Sequence, residues 1–368
     1  MVVASLSLRH LARRYGSVRA VDDLDLEVPE GAFVTLLGPS GCGKSTTLNL
    51  IAGLDQPNAG RILLGDEDIT RMPPNERRMA MVFQNDALYP HMTVCANSGF
   101  SLKLRRRSAS EITDRVTAVA QMLDIAHLLH RRPAELSGGQ QQRVALGRAL
   151  VKQPLVFLLD EPFSNLDAAL RARMRTEVKH LHLALGTTSV FVTHDQEEAM
   201  TLSDLICVMR DGKIVQSGSP TEIYGKPRNL YVAEFVGKPR MSLLDGSLQR
   251  RADGVAFIGT NMRIELGPAA QLGLADGSWP SVALGVRAED VIVHTDETHA
   301  GRAAFQATVG LMEPIGSDTF VELDIGATTI VARVEPDLPI SLGQPVWAEL
   351  RPSSVHLFAR ESGERIVA

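Results

Sequence analysis

The sequence has few cysteines and no long apolar run, and both absences narrow the classes of protein to which it can belong. Its three cysteines, Cys42, Cys95 and Cys207, show neither a disulfide framework nor a metal-ligand spacing, which favours a reducing compartment. No apolar run approaches the ~18 residues of a membrane-spanning helix, and the first ten residues lack the pattern of a signal peptide. If the protein serves a membrane, we expect another chain to span it.

Lysine is absent from residues 240–368, and this absence divides the chain by composition. The same part contains 10 arginines and 17 acidic residues, a balance of −7 in a chain of 368 residues whose net charge is −5. It also contains both tryptophans. We therefore predict one domain over 1–239 and a second over 240–368. The acidic, lysine-free second domain argues against nucleic-acid binding.

A glycine-rich loop lies between an apolar run, 33–37, and a helical pattern, 46–52. Glycines allow the backbone to wrap a polyphosphate, the N–H groups form an anion nest, and the following helix adds its positive end. Lys44 is expected to reach the outer phosphates, and the Ser45 hydroxyl is expected to contact Mg²⁺. The loop consists of Gly38, Pro39, Ser40, Gly41, Cys42, Gly43, Lys44, Ser45 and Thr46. Cys42 is either a small filler, the favoured interpretation, or a thiol of lowered pKa.

A second glycine-containing segment also opens a predicted helix. It consists of Ser137, Gly138, Gly139 and Gln140, directly after Leu136. Ser137 and Gln140 have the spacing of a capping box, so the free N–H groups of the helix start are expected to face outward and to bind an anion. The chain thus has two predicted phosphate-binding helix starts.

Charged and polar side chains end two further apolar strands. Asp160 and Glu161 follow the run 155–159, and His194 follows the run 190–193. Asp160 is placed to hold Mg²⁺ through water, and Glu161 is placed to polarise the attacking water. At the end of a neighbouring strand, His194 could sense the terminal phosphate.

Periodicity changes along the chain. Residues 2–35 alternate as strands do, residues 86–150 have helical spacing, and short alternating segments recur at 303–312, 318–324, 328–334 and 345–350. We predict an α/β phosphate-loop NTPase core with a helical subdomain over about 86–150, followed by a small all-β barrel or sandwich. Tyr15 is expected in a loop ahead of the phosphate site, either stacked on a base or covering the sheet.

Together these residues resemble the ATP-binding subunit of an ATP-binding-cassette (ABC) transporter over the whole chain. The most specific element is Leu-Ser-Gly-Gly-Gln at 136–140, which phosphate-loop kinases and GTPases lack. The resemblance implies an ATPase that binds ATP and Mg²⁺. It also implies that Tyr15 stacks on adenine, that Gln84 joins Ser45 at Mg²⁺ and the attacking water, and that His194 acts as the γ-phosphate switch.

The same resemblance implies a shared site. Ser137–Gln140 would contact the γ-phosphate held by an opposite subunit, and Asp167 would lie at the dimer interface. Residues 85–94, 224–229, 285–290 and 316–319 are similar to those of the maltose and glycerol-phosphate importer ATPases, in which the all-β domain is an OB-like regulatory and dimerising module.

That group implies a peripheral protein at the cytoplasmic face of the inner membrane. Its expected partners are a second copy or homologue, two membrane permease subunits and an extracytoplasmic solute-binding protein, with a sugar or sugar-like cargo. Another cargo (polyamine, iron or sulfate), a soluble ABC ATPase acting on DNA or ribosomes, and a signalling role for the all-β domain stay open as alternatives.

Overall fold

The computed structural model describes residues 4–84, 88–251, 254–260, 262–268, 279–297 and 304–366. The chain divides into two compact units, 1–220 and 221–368. Within the described ranges, no helix combines the length and the apolar character needed to cross a membrane.

The first unit is built on a sheet of the order β10-β9-β3-β8-β7-β6, which is parallel except for the pairing of β9 with β10. All five residues of β3 are buried, as expected for a parallel strand covered on both faces. The strands are β3 (Phe33–Leu37), β6 (Met79–Val82), β7 (Val156–Asp160), β8 (Thr188–Thr193), β9 (Leu205–Arg210) and β10 (Lys213–Gly218). Asp211 and Gly212 form the turn between β9 and β10, and an Asp-Gly pair between two apolar runs is a strong sequence signal for a hairpin.

A smaller antiparallel sheet packs in the same unit, in the order β2-β1-β4-β5. Alternate apolar residues of its strands share one core with the inner residues of the large sheet, among them Leu8, Leu26, Ile62 and Val190. The strands are β1 (Leu6–Tyr15), β2 (Val18–Val28), β4 (Ala59–Leu64) and β5 (Glu67–Asp68).

The helical subdomain lies within the predicted range, although residues 85–87 fall outside the described part. Its helices are α2 (Val94–Leu104), α3 (Ala109–Met122) and α4 (Gly138–Leu150). Ser108 caps α3 by accepting a hydrogen bond from the backbone N–H of Glu111 at 3.2 Å. The other helices of the first unit are α1 (Lys44–Ala52), α5 (Ala168–Leu185) and α6 (Gln196–Leu202).

The second unit is all-β apart from short helices, as the alternating segments predict. Its two antiparallel sheets have the orders β13-β12-β11-β14-β20 and β15-β19-β16-β17-β18. The strands are β11 (Ser242–Arg251), β12 (Gly254–Gly259), β13 (Met262–Gly267), β14 (Trp279–Val286), β15 (Val291–His294), β16 (Ala304–Pro314), β17 (Thr319–Ile325), β18 (Thr328–Val334), β19 (Pro345–Leu350) and β20 (His356–Ala359).

The boundary between the units lies before the one that composition predicts. Two short helices, α7 (Pro220–Gly225) and α8 (Leu230–Phe235), precede the lysine-free part. In α8, Leu230 and Ala233 pack on Ala283 and Phe358 of the β sheet. Because this apolar contact ties α8 to the all-β unit, the contact boundary falls at 220/221 and not at 239/240.

Candidate functional site

The phosphate loop and three further predicted site residues lie at one edge of the large sheet. The strands β3, β8 and β7 are adjacent and parallel, so their carboxyl ends meet. The phosphate loop, Gly38–Thr46, follows β3; His194 follows β8; Asp160 ends β7 and Glu161 follows it. The carboxyl ends of parallel strands are where open α/β sheets bind ligands.

The phosphate loop has the backbone that a polyphosphate requires. Gly41 and Gly43 have φ angles of 81° and 105°, and a Cβ on Gly43 would lie 2.2 Å from the Ala20 carbonyl oxygen. Lys44, only 4% exposed, donates from Nζ to the carbonyl oxygens of Gly38 and Pro39 at 2.8 and 2.9 Å. Its charge is therefore held inside the loop, where it would face outer phosphates.

Ser45 and Asp160 form a pair of hard oxygen ligands. The Ser45 hydroxyl donates to Oδ1 of Asp160 at 2.9 Å. Burial raises the pKa of Asp160, and the hydrogen bond from Ser45 opposes this shift. Hydroxyl and carboxylate oxygens suit Mg²⁺, which prefers one or two protein ligands together with substrate phosphates. The pair therefore fits a magnesium ion bound together with a nucleotide.

Glu161 and His194 form a second pair beside the phosphate loop. Nδ1 of His194 lies 3.1 Å from Oε2 of Glu161, and their side chains are 56% and 18% exposed. Glu161 has a left-handed backbone with φ of 42°, and its N–H donates to the Val192 carbonyl at 3.0 Å. A non-glycine residue is held there only when its surroundings fix it, which is typical of a functional position.

A cleft of about 520 Å³ opens in front of the loop. Lys44, Ser45 and Glu161 line it, and so do residues that sequence reasoning missed, among them Arg19 and Asp211. The β9–β10 turn forms one wall because the Gly212 N–H donates to the carbonyl of Cys42 at 3.0 Å. The Asp-Gly signal gives the turn but not its position beside the loop.

Tyr15 and Gln84 do not line this cleft. Tyr15 is the last residue of β1 and not part of a loop, and its hydroxyl donates to Asp55. The guanidinium of Arg13 lies 4.6 Å from its ring centroid. Gln84 is exposed and follows β6. Its backbone carbonyl accepts a hydrogen bond from the side-chain amide of Asn165 at 3.1 Å. Their predicted roles at adenine and Mg²⁺ stay predictions.

The second glycine segment caps α4. Oε1 of Gln140 accepts from the backbone N–H of Ser137 at 3.0 Å, while Ser137 and Gly138 are exposed. Gly139 is buried against the side chain of Leu170 of α5. An added Cβ at this position would lie 2.7 Å from that side chain. None of the four residues from 137 to 140 lines the cleft. Asp167, exposed, caps α5 by accepting from the N–H of Leu170 at 2.9 Å.

Cys42 behaves as a small filler. It is 5% exposed, and burial raises the pKa of its thiol. A Cβ added at Gly38 would lie 2.6 Å from its sulfur, so the side chain occupies the space behind the loop. The alternative of a thiol with a lowered pKa is therefore wrong.

Comparison with known proteins gives two matching families and relatives over the full length. Residues 21–164 match the ABC transporter family and residues 300–357 match the TOBE domain. The sulfoquinovosyl glycerol transport ATP-binding protein of Agrobacterium fabrum is 46% identical over 97% of this chain and 98% of its own. The trehalose/maltose import ATP-binding protein of Thermococcus litoralis is 44% identical over 99% and 100%. The sn-glycerol-3-phosphate import ATP-binding protein of Cupriavidus necator is 43% identical over both full lengths.

Solved structures agree with the first unit. The dimeric bacterial ABC transporter cassette MJ0796 is 31% identical, with a TM-score of 0.53, over 58% of this chain and 98% of its own. The cassette MJ1267 in its ADP conformation is 26% identical, with a TM-score of 0.56, over 64% and 98%. With its phosphate loop, acidic strand end and Leu-Ser-Gly-Gly-Gln segment, the chain belongs to the ATP-binding proteins of ABC transporters and is an ATPase.

Proposed function

We propose that two copies of this chain, or this chain and a homologue, close around two ATP molecules and that closure powers import of a sugar-like solute through two membrane permease subunits. The observation that carries the proposal is that the two predicted phosphate-binding elements do not line the same cleft. The phosphate loop lines the cleft, whereas the exposed start of α4 at Ser137 and Gly138 does not. A second chain could supply the missing element to each cleft.

The chemistry of the α4 start supports this arrangement. The first N–H groups of a helix have no partner within the helix, and the helix dipole places positive charge there. Glycine at 138 leaves this end without a side chain, and the nearest atom to an added Cβ is 3.7 Å away. A phosphate presented by another subunit can therefore approach the backbone closely.

Glu161 is the proposed base. Mg²⁺, when bound beside Ser45 and Asp160, would neutralise developing charge on the phosphates. Glu161 would orient and polarise the attacking water, and His194, 3.1 Å from its carboxylate, would fix the direction of that carboxylate and reach the terminal phosphate. A positioned base contributes about 10²–10⁴-fold in rate.

Differential binding would drive closure. A ligand shifts a conformational equilibrium only by its preference for one state. Moving a dimer from 1:99 to 99:1 closed takes about 5.5 kcal/mol of preferential binding. Two ATP molecules, each held by a phosphate loop and an α4 start, would divide this requirement between two sites.

The cargo is inferred from relatives. The names of three of them specify sulfoquinovosyl glycerol, trehalose and maltose, and sn-glycerol-3-phosphate as their solutes. All are polyhydroxylated, so we propose a sugar or polyol derivative, delivered by an extracytoplasmic binding protein. The ATPase would act as a peripheral protein on the cytoplasmic face of the membrane.

The test of the mechanism uses Glu161→Gln. The variant should bind ATP, lose hydrolysis by at least 10²-fold and run as a dimer in light scattering when ATP is present. Glu197→Gln is the matched control because that side chain, 65% exposed, pairs with Arg175 outside the cleft; it should hydrolyse ATP normally. Undiminished hydrolysis by Glu161→Gln would remove this residue from the mechanism.

Composite sites are tested by mixing variants. Lys44→Ala and Ser137→Ala should each be inactive alone, while a mixture should regain activity because a mixed dimer contains one intact site. Normal hydrolysis by either purified variant would contradict the shared site. The cargo is tested separately, by solute-stimulated ATPase of the complex in proteoliposomes; stimulation by polyamine, iron or sulfate and not by a sugar would refute that part alone.

A further inference from the structure

A cluster of basic side chains lies on one face of the β13-β12-β11-β14-β20 sheet in the second unit. His356 on β20 pairs with Gly285 on β14, and Arg365 forms an isolated bridge with Phe358 of β20. Side chains of paired residues lie on the same face of a sheet and alternate along each strand. Arg287, two residues beyond Gly285 and extended in backbone, therefore shares this face with His356 and Arg365.

The segment 224–236 covers this face. Nη1 of Arg287 donates to the Val236 carbonyl and Nη2 donates to the Tyr224 carbonyl, both at 2.8 Å. The guanidinium also lies 3.7 Å from the centroid of the Tyr224 ring. The N–H of Arg365 donates to the carbonyl of Arg228 at 2.9 Å. Both arginines are thus fixed under the same segment.

Among the residues that the structure describes, four nitrogen atoms of the cluster are buried and have no hydrogen-bond partner. They are Nε of Arg287, Nδ1 of His356, and Nε and Nη1 of Arg365. Arg287 and His356 are only 3% and 7% exposed. Buried polar groups in folded proteins nearly always have a partner, so several unpaired donors in one place call for a group that completes them.

Carboxylates face Arg287 in this cluster. Glu289 and Asp290 favour its charged form against the effect of burial; Glu289 also accepts from the Tyr224 hydroxyl, and Asp290 lies 3.6 Å from Arg351. Across the residues that the structure describes, Arg365 has no carboxylate within ion-pair distance, and burial lowers its pKa. Burial, together with the charges of Arg365 and Arg287, lowers the pKa of His356 to about 4.

We propose that Arg287, His356 and Arg365 form a binding site for a small oxyanion of the phosphate or sulfate class. Two guanidinium groups and an imidazole in its Nδ1–H tautomer would present four donors from three positions on the sheet. A tetrahedral oxyanion has four oxygens and one or two negative charges to meet them, whereas a carboxylate has two oxygens and one charge. The bound ion would link the sheet to the segment 224–236 through Arg287.

The first test follows the imidazole of His356 by NMR in the full-length protein. A non-hydrolysable ATP analogue fills the phosphate loop, and inorganic phosphate is then titrated at constant ionic strength. His356→Gln identifies the signal. Binding should raise the pKa of His356 above about 4 and shift its ring resonances with a saturating curve. Sulfate should do the same, while acetate should not. Unchanged ring resonances of His356 with phosphate and sulfate would mean that water alone fills the site, and this result would overturn the proposal. An equal response to acetate would also overturn it.

The second test uses calorimetric titration of variants under the same conditions. Arg365→Gln should weaken phosphate binding at least tenfold, and Arg365→Lys should retain part of it. Arg360→Gln is the matched control because that side chain, 46% exposed, pairs with Asp245 at 3.2 Å; its phosphate affinity should stay unchanged. Tryptophan fluorescence confirms that the second unit of each variant is folded, because both tryptophans belong to that unit. Equal affinities of Arg365→Gln and the unaltered protein would refute the site.

Discussion

His356 should make the second unit sensitive to acid. Its pKa is lowered to about 4 by burial first, then by Arg365 and Arg287, while the unfolded chain has the ordinary value of 6.5. Between these values the unfolded state holds the proton and the folded state does not, so stability rises with pH. The contribution is fully present above about pH 6.5 and is lost as the pH falls toward 4. At about 1.4 kcal/mol per pKa unit, the loss from pH 7 to pH 4 is about 3 kcal/mol.

The assay is urea unfolding followed by tryptophan fluorescence, which reports on the second unit because both tryptophans, Trp279 and Trp347, belong to it. Buffers contain neither phosphate nor sulfate. Other groups titrate as well, so the quantity to compare is the difference in free energy of unfolding between the unaltered protein and His356→Gln at each pH. That difference should fall by about 3 kcal/mol between pH 7 and pH 4.

His294→Gln serves as the control in the same unit. That imidazole lies 2.9 Å from Glu349 and away from the basic cluster. The His294→Gln variant should keep the acid-dependent loss of unfolding free energy that the His356→Gln variant lacks. Parallel pH curves for the unaltered protein and His356→Gln would refute the reasoning, because they would show that His356 takes up no proton on unfolding.

Three further outcomes are expected. Ser45→Ala removes the proposed magnesium ligand and should raise the Mg²⁺ concentration for half-maximal ATPase about tenfold; an unchanged requirement would exclude the contact. Gly43→Ala should abolish binding of a fluorescent ATP analogue, since its Cβ would lie 2.2 Å from the Ala20 carbonyl oxygen; normal binding would contradict this. Exposed Cys95 should react with a thiol reagent in the native protein, whereas Cys207, whose pKa burial raises to about 12, should react only after denaturation; fast labelling of both would contradict this.

The core of the site could be predicted from sequence because its residues are covalently attached to strand ends. Once the apolar runs 33–37 and 155–159 are taken as parallel strands of one sheet, Lys44 and Asp160 must lie at the same edge of that sheet. The side-chain types then give the chemistry. The hydrogen bond between Ser45 and Asp160 at 2.9 Å follows from the position of each residue at its strand end.

Features that depend on long-range register could not be predicted. The Asp211–Gly212 turn lines the cleft only because β9 lies beside β3 in the folded sheet. Arg287 and Arg365 are far apart along the chain. They share one face of the sheet only because β20 pairs with β14 and Phe358 of β20 forms an isolated bridge with Arg365. The contact boundary at 220/221 differs from the composition boundary for a related reason, because α8 packs on the all-β unit and composition does not record packing.

The two helix starts that are proposed to bind phosphate differ in what surrounds them, and that difference bears on the proposed dimer. The α1 start has Lys44 within its loop and Glu161 across the cleft, whereas the α4 start offers exposed backbone at Ser137 and Gly138. If each α4 start takes its phosphate from a partner, ATP binding and dimerisation are one linked equilibrium with two ATP molecules per dimer. Below saturation, the dimerisation constant of Glu161→Gln should then rise with the square of the ATP concentration, about 2.8 kcal/mol for each tenfold increase. A first-power dependence would mean that one ATP suffices for closure, and no dependence would mean that the α4 start has another ligand.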